Sequence, residues 1–306
     1  VITVTEGETL NEHWEQTQLA ELMNDPVMKP FNEDVKRQIE EEWTKTRKRL
    51  GITIDDIYGV PTGETSLGFV RTSKGPMATV LLMDVKDNTE RAEAFLKKIA
   101  EQLTLEGAKQ SSTTIMNVPV TFFELPKEKA SDPQLYAYYF MKDTIVGASD
   151  NPETVQYLIE RLSGATGPSL GDIPAYQKVM ARCMQDQPGG RTPQIRWFIR
   201  PFDYAETIRA SLSAKEQEES ARAFEIMKSE GFTAIQGVGG FVDFFVEEKG
   251  SPFEMISKVY VYAPKPWTGA MNMIALPNRT EFTAQDWVPR NAAKYTSMYV
   301  DPEAVF

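Results

Sequence analysis

Two hydrophobic periods alternate along the chain, one of two residues and one of three to four, and together they predict its elements. Val1 to Thr5 alternates β-branched residues and reads as a short strand. Leu10, Trp14, Leu19 and Leu22 recur at roughly helical spacing until Pro26 and Pro30 break the pattern. Over 32–50, Val35, Ile39, Trp43, Thr46 and Leu50 share one face of a helix. Asn32 stands at its start, Lys45, Arg47, Lys48 and Arg49 crowd its last turn, and Gly51 suits the position just past its end. Glu41 with Lys45 makes an i,i+4 pair on its solvated face.

Residues 65–70 and 77–85 read as adjacent strands joined through 71–76. Asn88 caps a helix to about Glu106, with Ala92, Phe95, Leu96, Ile99 and Leu103 inward. Residues 113–125 read as one strand, with Pro119 at a bulge or edge. A hairpin turns about Lys142-Asp143, and Asn151-Pro152 then opens a helix that Gly164 ends. Residues 163–172 have the composition of a linker, and a helix with Tyr176, Val179, Met180, Cys183 and Met184 on its apolar side follows.

The pattern then restarts. A strand at 194–201, a short helix, a long charged helix ending in glycine, and two strands from 231 to 264 repeat the order of elements seen from Val1 to Val85. The expectation is an α+β protein of two related units, each a largely antiparallel sheet with packed helices, over 1–165 and 166–306, the second cut short.

The glycines Gly237, Gly239 and Gly240 raise the question of a phosphate-cradling loop. Such a loop needs a helix N-terminus after it, whereas "FVDFFVEE" alternates as a strand. These glycines are therefore expected to permit a tight entry or a bulge.

Charge narrows the partners. With 306 residues and a formal net charge of -11, the chain repels phosphate backbones and anionic membrane surfaces, so nucleic acid is not expected. No apolar run approaches the length of a bilayer span. The one histidine, His13, and the one cysteine, Cys183, leave the usual zinc ligand sets and Ser-His-acid sites without members. His13 reads as a surface residue and Cys183 as a buried, inert thiol. No cofactor or metal is expected. Carboxylates remain for acid–base chemistry, the candidate pairs being Asp55 with Asp56 and Asp84 with Asp87, although capping and helix-dipole roles explain both. No D-x-D-x-D-G calcium pattern occurs, and the sequon at Asn278 matters only in a eukaryotic secretory setting. Trp43 and Trp197 read as core, while Trp267 and Trp287, near prolines, are candidates for an aromatic contact surface or for core or loop anchoring.

Three stretches, "IVGASDNPETVQYLIERLSG" with "SLGDIPAYQKVM", "GFTAIQGVGGFVDFF…VYVYAPKPWTGAMNMIALP" and "WVPRNAAKYTSMYVDPEAVF", resemble an uncharacterised domain-of-unknown-function family of extracytoplasmic, planctomycete-type bacterial envelope proteins. The resemblance implies a periplasmic or cell-envelope location, a leader removed before Val1, and Phe306 as a fragment end or processing site, since members are often longer than this chain; it brings no site residues. The expected function is non-catalytic: a cell-envelope protein that binds or assembles with other envelope proteins or with itself. The alternatives are a carboxylate-dependent hydrolase acting on glycans and a carrier of an apolar ligand in a cavity between sheet and helices.

Overall fold

Strand β1 (Ile2–Val4) leads into helices α1 (Gly7–Glu15) and α2 (Gln18–Asn24), which the sequence pattern joins into one. Thr17 divides them: its hydroxyl accepts from the Ala20 amide and caps α2. In this computed structural model, residues 1–72, 77–127, 129–186, 191–210, 212, 214–244, 254–274 and 286–296 are described, without the side chains of 36, 39–48, 54, 55, 210, 214, 273 and 274. The inward calls on Ile39, Trp43 and Thr46, the Glu41–Lys45 pair and the basic last turn at 45–48 therefore lie outside the described side chains, as does the residue Asn278.

Helix α3 (Lys29–Leu50) begins three residues before the expected Asn32. Pro30 sits in its first turn, where the missing N–H has no intrahelical partner to lose. Gly51 follows it at φ 64°, in the left-handed region. After the short helix α4 (Ile54–Ile57) come β2 (Thr65–Val70), β3 (Ala78–Asp84), α5 (Thr89–Leu105), β4 (Lys109–Ile115), β5 (Val118–Glu124), β6 (Tyr136–Lys142), β7 (Ile145–Ser149), α6 (Pro152–Leu162) and α7 (Pro174–Gln185). The chain finishes its described strands with β8 (Ile195–Ile199), α8 (Pro201–Ala210), α9 (Ala214–Ser229), β9 (Gly237–Phe244) and β10 (Met255–Tyr262).

The single strand expected at 113–125 is a hairpin. Met116 and Asn117 both have positive φ, 47° and 64°, which is the two-residue turn whose twist matches the flanking strands. Pro119 lies inside β5, opposite Thr114, rather than at a bulge. Asn88 does not cap α5 either; its amide donates to the carbonyls of Gly59 and Val60 and ties the α4–β2 connection to that helix start.

The ten strands among the described residues form one antiparallel sheet in the order β10-β9-β8-β1-β2-β3-β7-β6-β5-β4, so the protein is α+β. Strands from 1–165 and from 166–306 share it. They meet where β1 pairs β8, with Thr3 opposite Arg196. From that junction β1-β2-β3 runs one way and β8-β9-β10 the other, each a strand, a helical segment and a hairpin in sequence.

Side chains alternate between the two faces of a strand. The first face, which carries Leu81, Met83, Val146, Tyr139 and Phe123, is covered by Phe95, Ile99 and Leu103 of α5 and by Leu50 at the end of α3. The second face is covered at both ends: Val155 and Ile159 of α6 pack on Val120 and Phe140, and Ala175, Val179 and Cys183 of α7 pack on Phe198 and Phe241.

The glycine run lies inside β9, in unbroken register with both neighbours, so it makes neither a tight entry nor a bulge, and no helix N-terminus follows it. Its lack of side chains serves close approach. A Cβ on Gly239 would lie 2.5 Å from the Trp197 carbonyl oxygen and 2.8 Å from Val179 Cγ1 of α7. The carbonyl cannot swing aside without breaking the ladder. Gly239→Ala is expected to cost about 1–3 kcal/mol as overpacking, read as a lower melting midpoint; an unchanged midpoint contradicts this account of the glycines.

Candidate interaction surface

Over β8, β9, β10, β1 and β2 the first face is far less covered. Alternation places Ile2 and Val4, Phe69, Trp197, Val238 and Val242, and Val259 and Val261 on it. Val4, Trp197, Val238 and Val242 are half-buried, and Ile2, Phe69, Val259 and Val261 are 50%, 43%, 59% and 57% exposed. Helix α1 closes one end of this face, where the Trp14 ring meets Phe244 edge-on at 5.5 Å. A contiguous apolar area of this kind, spread over neighbouring strands, marks an interaction site in a folded protein.

Strand β10 is also an outer strand of the sheet. Its second-face side chains are anchored. The Tyr260 hydroxyl donates to Asp186 Oδ2 at 2.8 Å, with the Lys258 ammonium 3.6 Å and the Arg182 guanidinium 3.8 Å from the same oxygen. The hydrogen bond from Tyr260, ahead of the two cations, holds Asp186 below the usual carboxylate range. Burial and the Asp186 carboxylate push the Tyr260 hydroxyl up. The first-face valines of the same strand face no such partners and gain from being covered.

The tryptophan candidates have different environments. Trp287 is 77% exposed. Trp267 is half-buried; its indole N–H donates to the Ala263 carbonyl at 2.9 Å, and the Lys265 ammonium lies 5.5 Å from the ring centre. Trp267 thus fastens the chain just after β10. Trp197, expected in the core, lies half-buried on the open first face.

The chemical candidates have structural work. His13 Nδ1 meets the Gln194 side-chain amide, whose oxygen accepts from the Phe244 amide. The Gln194 backbone N–H in turn donates to Asp243 Oδ1 at 3.3 Å. Asp56 closes a capping box with Thr53 and pairs with Lys98 at 2.7 Å, while the Asp55 side chain is outside the described residues. Asp84 Oδ1 accepts from the Lys86 amide, and Asp87 occupies a left-handed turn at φ 64°. Cys183 is fully buried, and burial pushes its thiol up to about 11. Among the described residues, no group of three or more His, Cys, Asp or Glu side chains has the proximity to hold a metal ion.

Burial alone would raise the Asp56 pKa, but the hydrogen bonds from Lys98 and Thr53 outweigh it and hold the carboxyl below its usual range. An acid whose pKa falls on folding stabilises the fold above its unfolded value, about 3.9, and loses that contribution as pH drops through the folded value. Asp56→Asn is therefore expected to be less stable than the parent at neutral pH, with the difference closing below about pH 4. Urea titrations at pH 7 and pH 3 check this; a difference that widens in acid contradicts it.

A cleft of about 420 Å³ opens where Ile173 and Pro174 at the start of α7 approach Arg200, Phe202 and Lys228. Its charges neutralise one another, Arg200 with Asp203 at 2.6 Å and Lys228 with Glu206 at 2.9 Å, and it is not an apolar cavity enclosed between sheet and helices. The open valines of β10 were missed from sequence because their exposure depends on strand order. A run such as "MISKVYVY" carries apolar residues on both faces and reads as a central strand. No helix among the described residues is long and apolar enough to cross a membrane. Set against known proteins, the chain matches no family model, no curated protein and no solved structure.

Proposed function

We propose that the chain is a non-catalytic protein of the cell envelope that works by binding to, or assembling with, other proteins. The observation that carries this reading is the half-open first face of the sheet from β2 to β10, with exposed Ile2 and Phe69 on neighbouring β1 and β2, exposed Val259 and Val261 on β10, and half-buried Trp197, Val238 and Val242 on the strands between. Leaving such side chains in water forgoes about 25 cal/mol for each Å² of apolar surface that a partner would cover. The envelope location is supported by the resemblance of three stretches to extracytoplasmic proteins.

A hydrolase reading asks for a pair of converging carboxyls, one of them with a raised pKa. Among the described carboxyls the one pushed up is Asp150, and its oxygens are engaged by Arg49 and the Thr79 amide. That arrangement supports a structural role for it.

Native mass spectrometry of the protein purified from its own cells at low salt tests the reading. A stable homo- or hetero-assembly is the expected result. A monomer that hydrolyses members of a glycan panel overturns the non-catalytic assignment, and fractionation that places the protein in the cytosol overturns the location.

A further inference from the structure

The two outer strands of the sheet differ in kind. In β4, residues Lys109 to Thr114 are polar and exposed, the composition that discourages strand-to-strand association. In β10, residues Met255 to Tyr262 carry one charge, Lys258, and no acid, in a chain of net charge -11. Every second residue of β10 turns its N–H and C=O away from β9, and among the described residues no other strand pairs with this ladder of hydrogen-bonding groups.

Two features of the fold say what such an edge accepts. Strand β3, which holds the place of β10 in the other half of the sheet, takes an antiparallel neighbour, β7, with Met83 opposite Val146. The junction of the two halves is itself an antiparallel edge-to-edge pairing, of β1 with β8.

Building on the assembly reading above, we propose that a second copy of this chain adds antiparallel along the free edge of β10, about a two-fold axis at Val259, to give a dimer with one continuous sheet. In this register Val259 faces its own counterpart and Ser257 faces Val261 of the other copy on the first face, while Ile256 faces Tyr262 on the second. Lys258 falls opposite Tyr260 of the other copy, whose hydroxyl is held by Asp186. The two Lys258 side chains thus stand on a diagonal across the junction and not directly opposite each other. Shifting the axis to Lys258 would set two ammonium groups face to face, so charge selects the register.

Sedimentation of residues 1–306 over a concentration series gives the first readout: a dimer that dissociates on dilution is expected. Val259→Cys is expected to form a disulfide-linked dimer on mild oxidation, while Thr113→Cys on β4 stays monomeric; the buried Cys183 does not compete. Val259→Lys sets like charges opposite each other and is expected to weaken the dimer roughly tenfold or more. Because Val259 is exposed, these variants fold, and continued protection of Cys183 from thiol reagents verifies it. A monomer at every concentration, or a dimer that Thr113→Cys traps and Val259→Cys does not, overturns the proposal. A monomer that forms a stable complex with a different protein also overturns it, yet leaves the assembly reading standing; glycan hydrolysis by an intact dimer does the reverse.

Discussion

Phe241→Ala is expected to lower stability by about 3–5 kcal/mol, the range for deleting a fully buried phenylalanine. The ring has no exposure and lies among Ala175, Val179, Cys183 and Phe198, where α7 meets the second face. Gly237 and Gly239, beside it in β9, let α7 approach too closely for the helix to settle further and refill the space. The cavity therefore persists, and the cost falls toward the upper end. Urea unfolding is expected to show a lower midpoint with an unchanged slope. Cys183, in the same cluster, supplies a second readout: its reaction with a thiol reagent under native conditions should accelerate with the loss of stability. A loss under about 1 kcal/mol would mean that α7 is not seated on β9 as described.

Asp150→Ala is expected to cost roughly 3 kcal/mol, the lower end for breaking a buried ion pair, since Arg49 keeps 28% exposure against 7% for Asp150. Asp150 follows β7. Arg49 Nε lies 2.5 Å from Asp150 Oδ2, and the Thr79 amide donates to Oδ1 at 2.8 Å. Arg49 also donates to the Met77 carbonyl. One carboxylate thus joins the end of α3 to the start of β3 and the end of β7. Burial pushes its pKa up against the pull of Arg49. Removing the carboxylate leaves the Arg49 Nε–H and the Thr79 backbone N–H without their acceptor, while Arg49 keeps the Met77 carbonyl. Asp150→Asn keeps one acceptor for Thr79 and is expected to lose less. Equal losses for the two variants would show that charge, not hydrogen bonding, dominates.

Where chemistry is local, the sequence was a good guide. Asn151 caps α6 through the Thr154 amide with Pro152 at its first position, Asp143 turns the β6–β7 hairpin at φ 53°, and Gly51 and Gly164 end their helices in the left-handed region. The α+β class follows from such signals. Where the decision lies in tertiary contact, it failed. Met116-Asn117 makes a turn that the β-branched residues on both sides, Thr113 to Ile115 and Val118 to Thr121, conceal. Pro30 looks like a helix breaker until the turn before it is seen to feed the helix. The glycines of β9 answer to the backbone of neighbouring strands and to Val179 some sixty residues earlier, which no local pattern encodes. The open face was illegible for the same reason. Trp197 and Val259 look like core residues, and only the order of strands reveals that their side of the sheet is half-covered.

The place of β1 in the middle of the sheet has a consequence for how the molecule is made. The Val1 ammonium donates to the Phe198 carbonyl across 197 positions of chain, and β1 has no neighbour on that side until β8 arrives. During synthesis β1 must wait, one flank bare, for residues made much later, and a ribosome-bound chain stopped before β8 presents the same pairing groups that later join the halves. Folding with so long a loop to close is slow, and the nascent chain needs shelter until the seam is sealed.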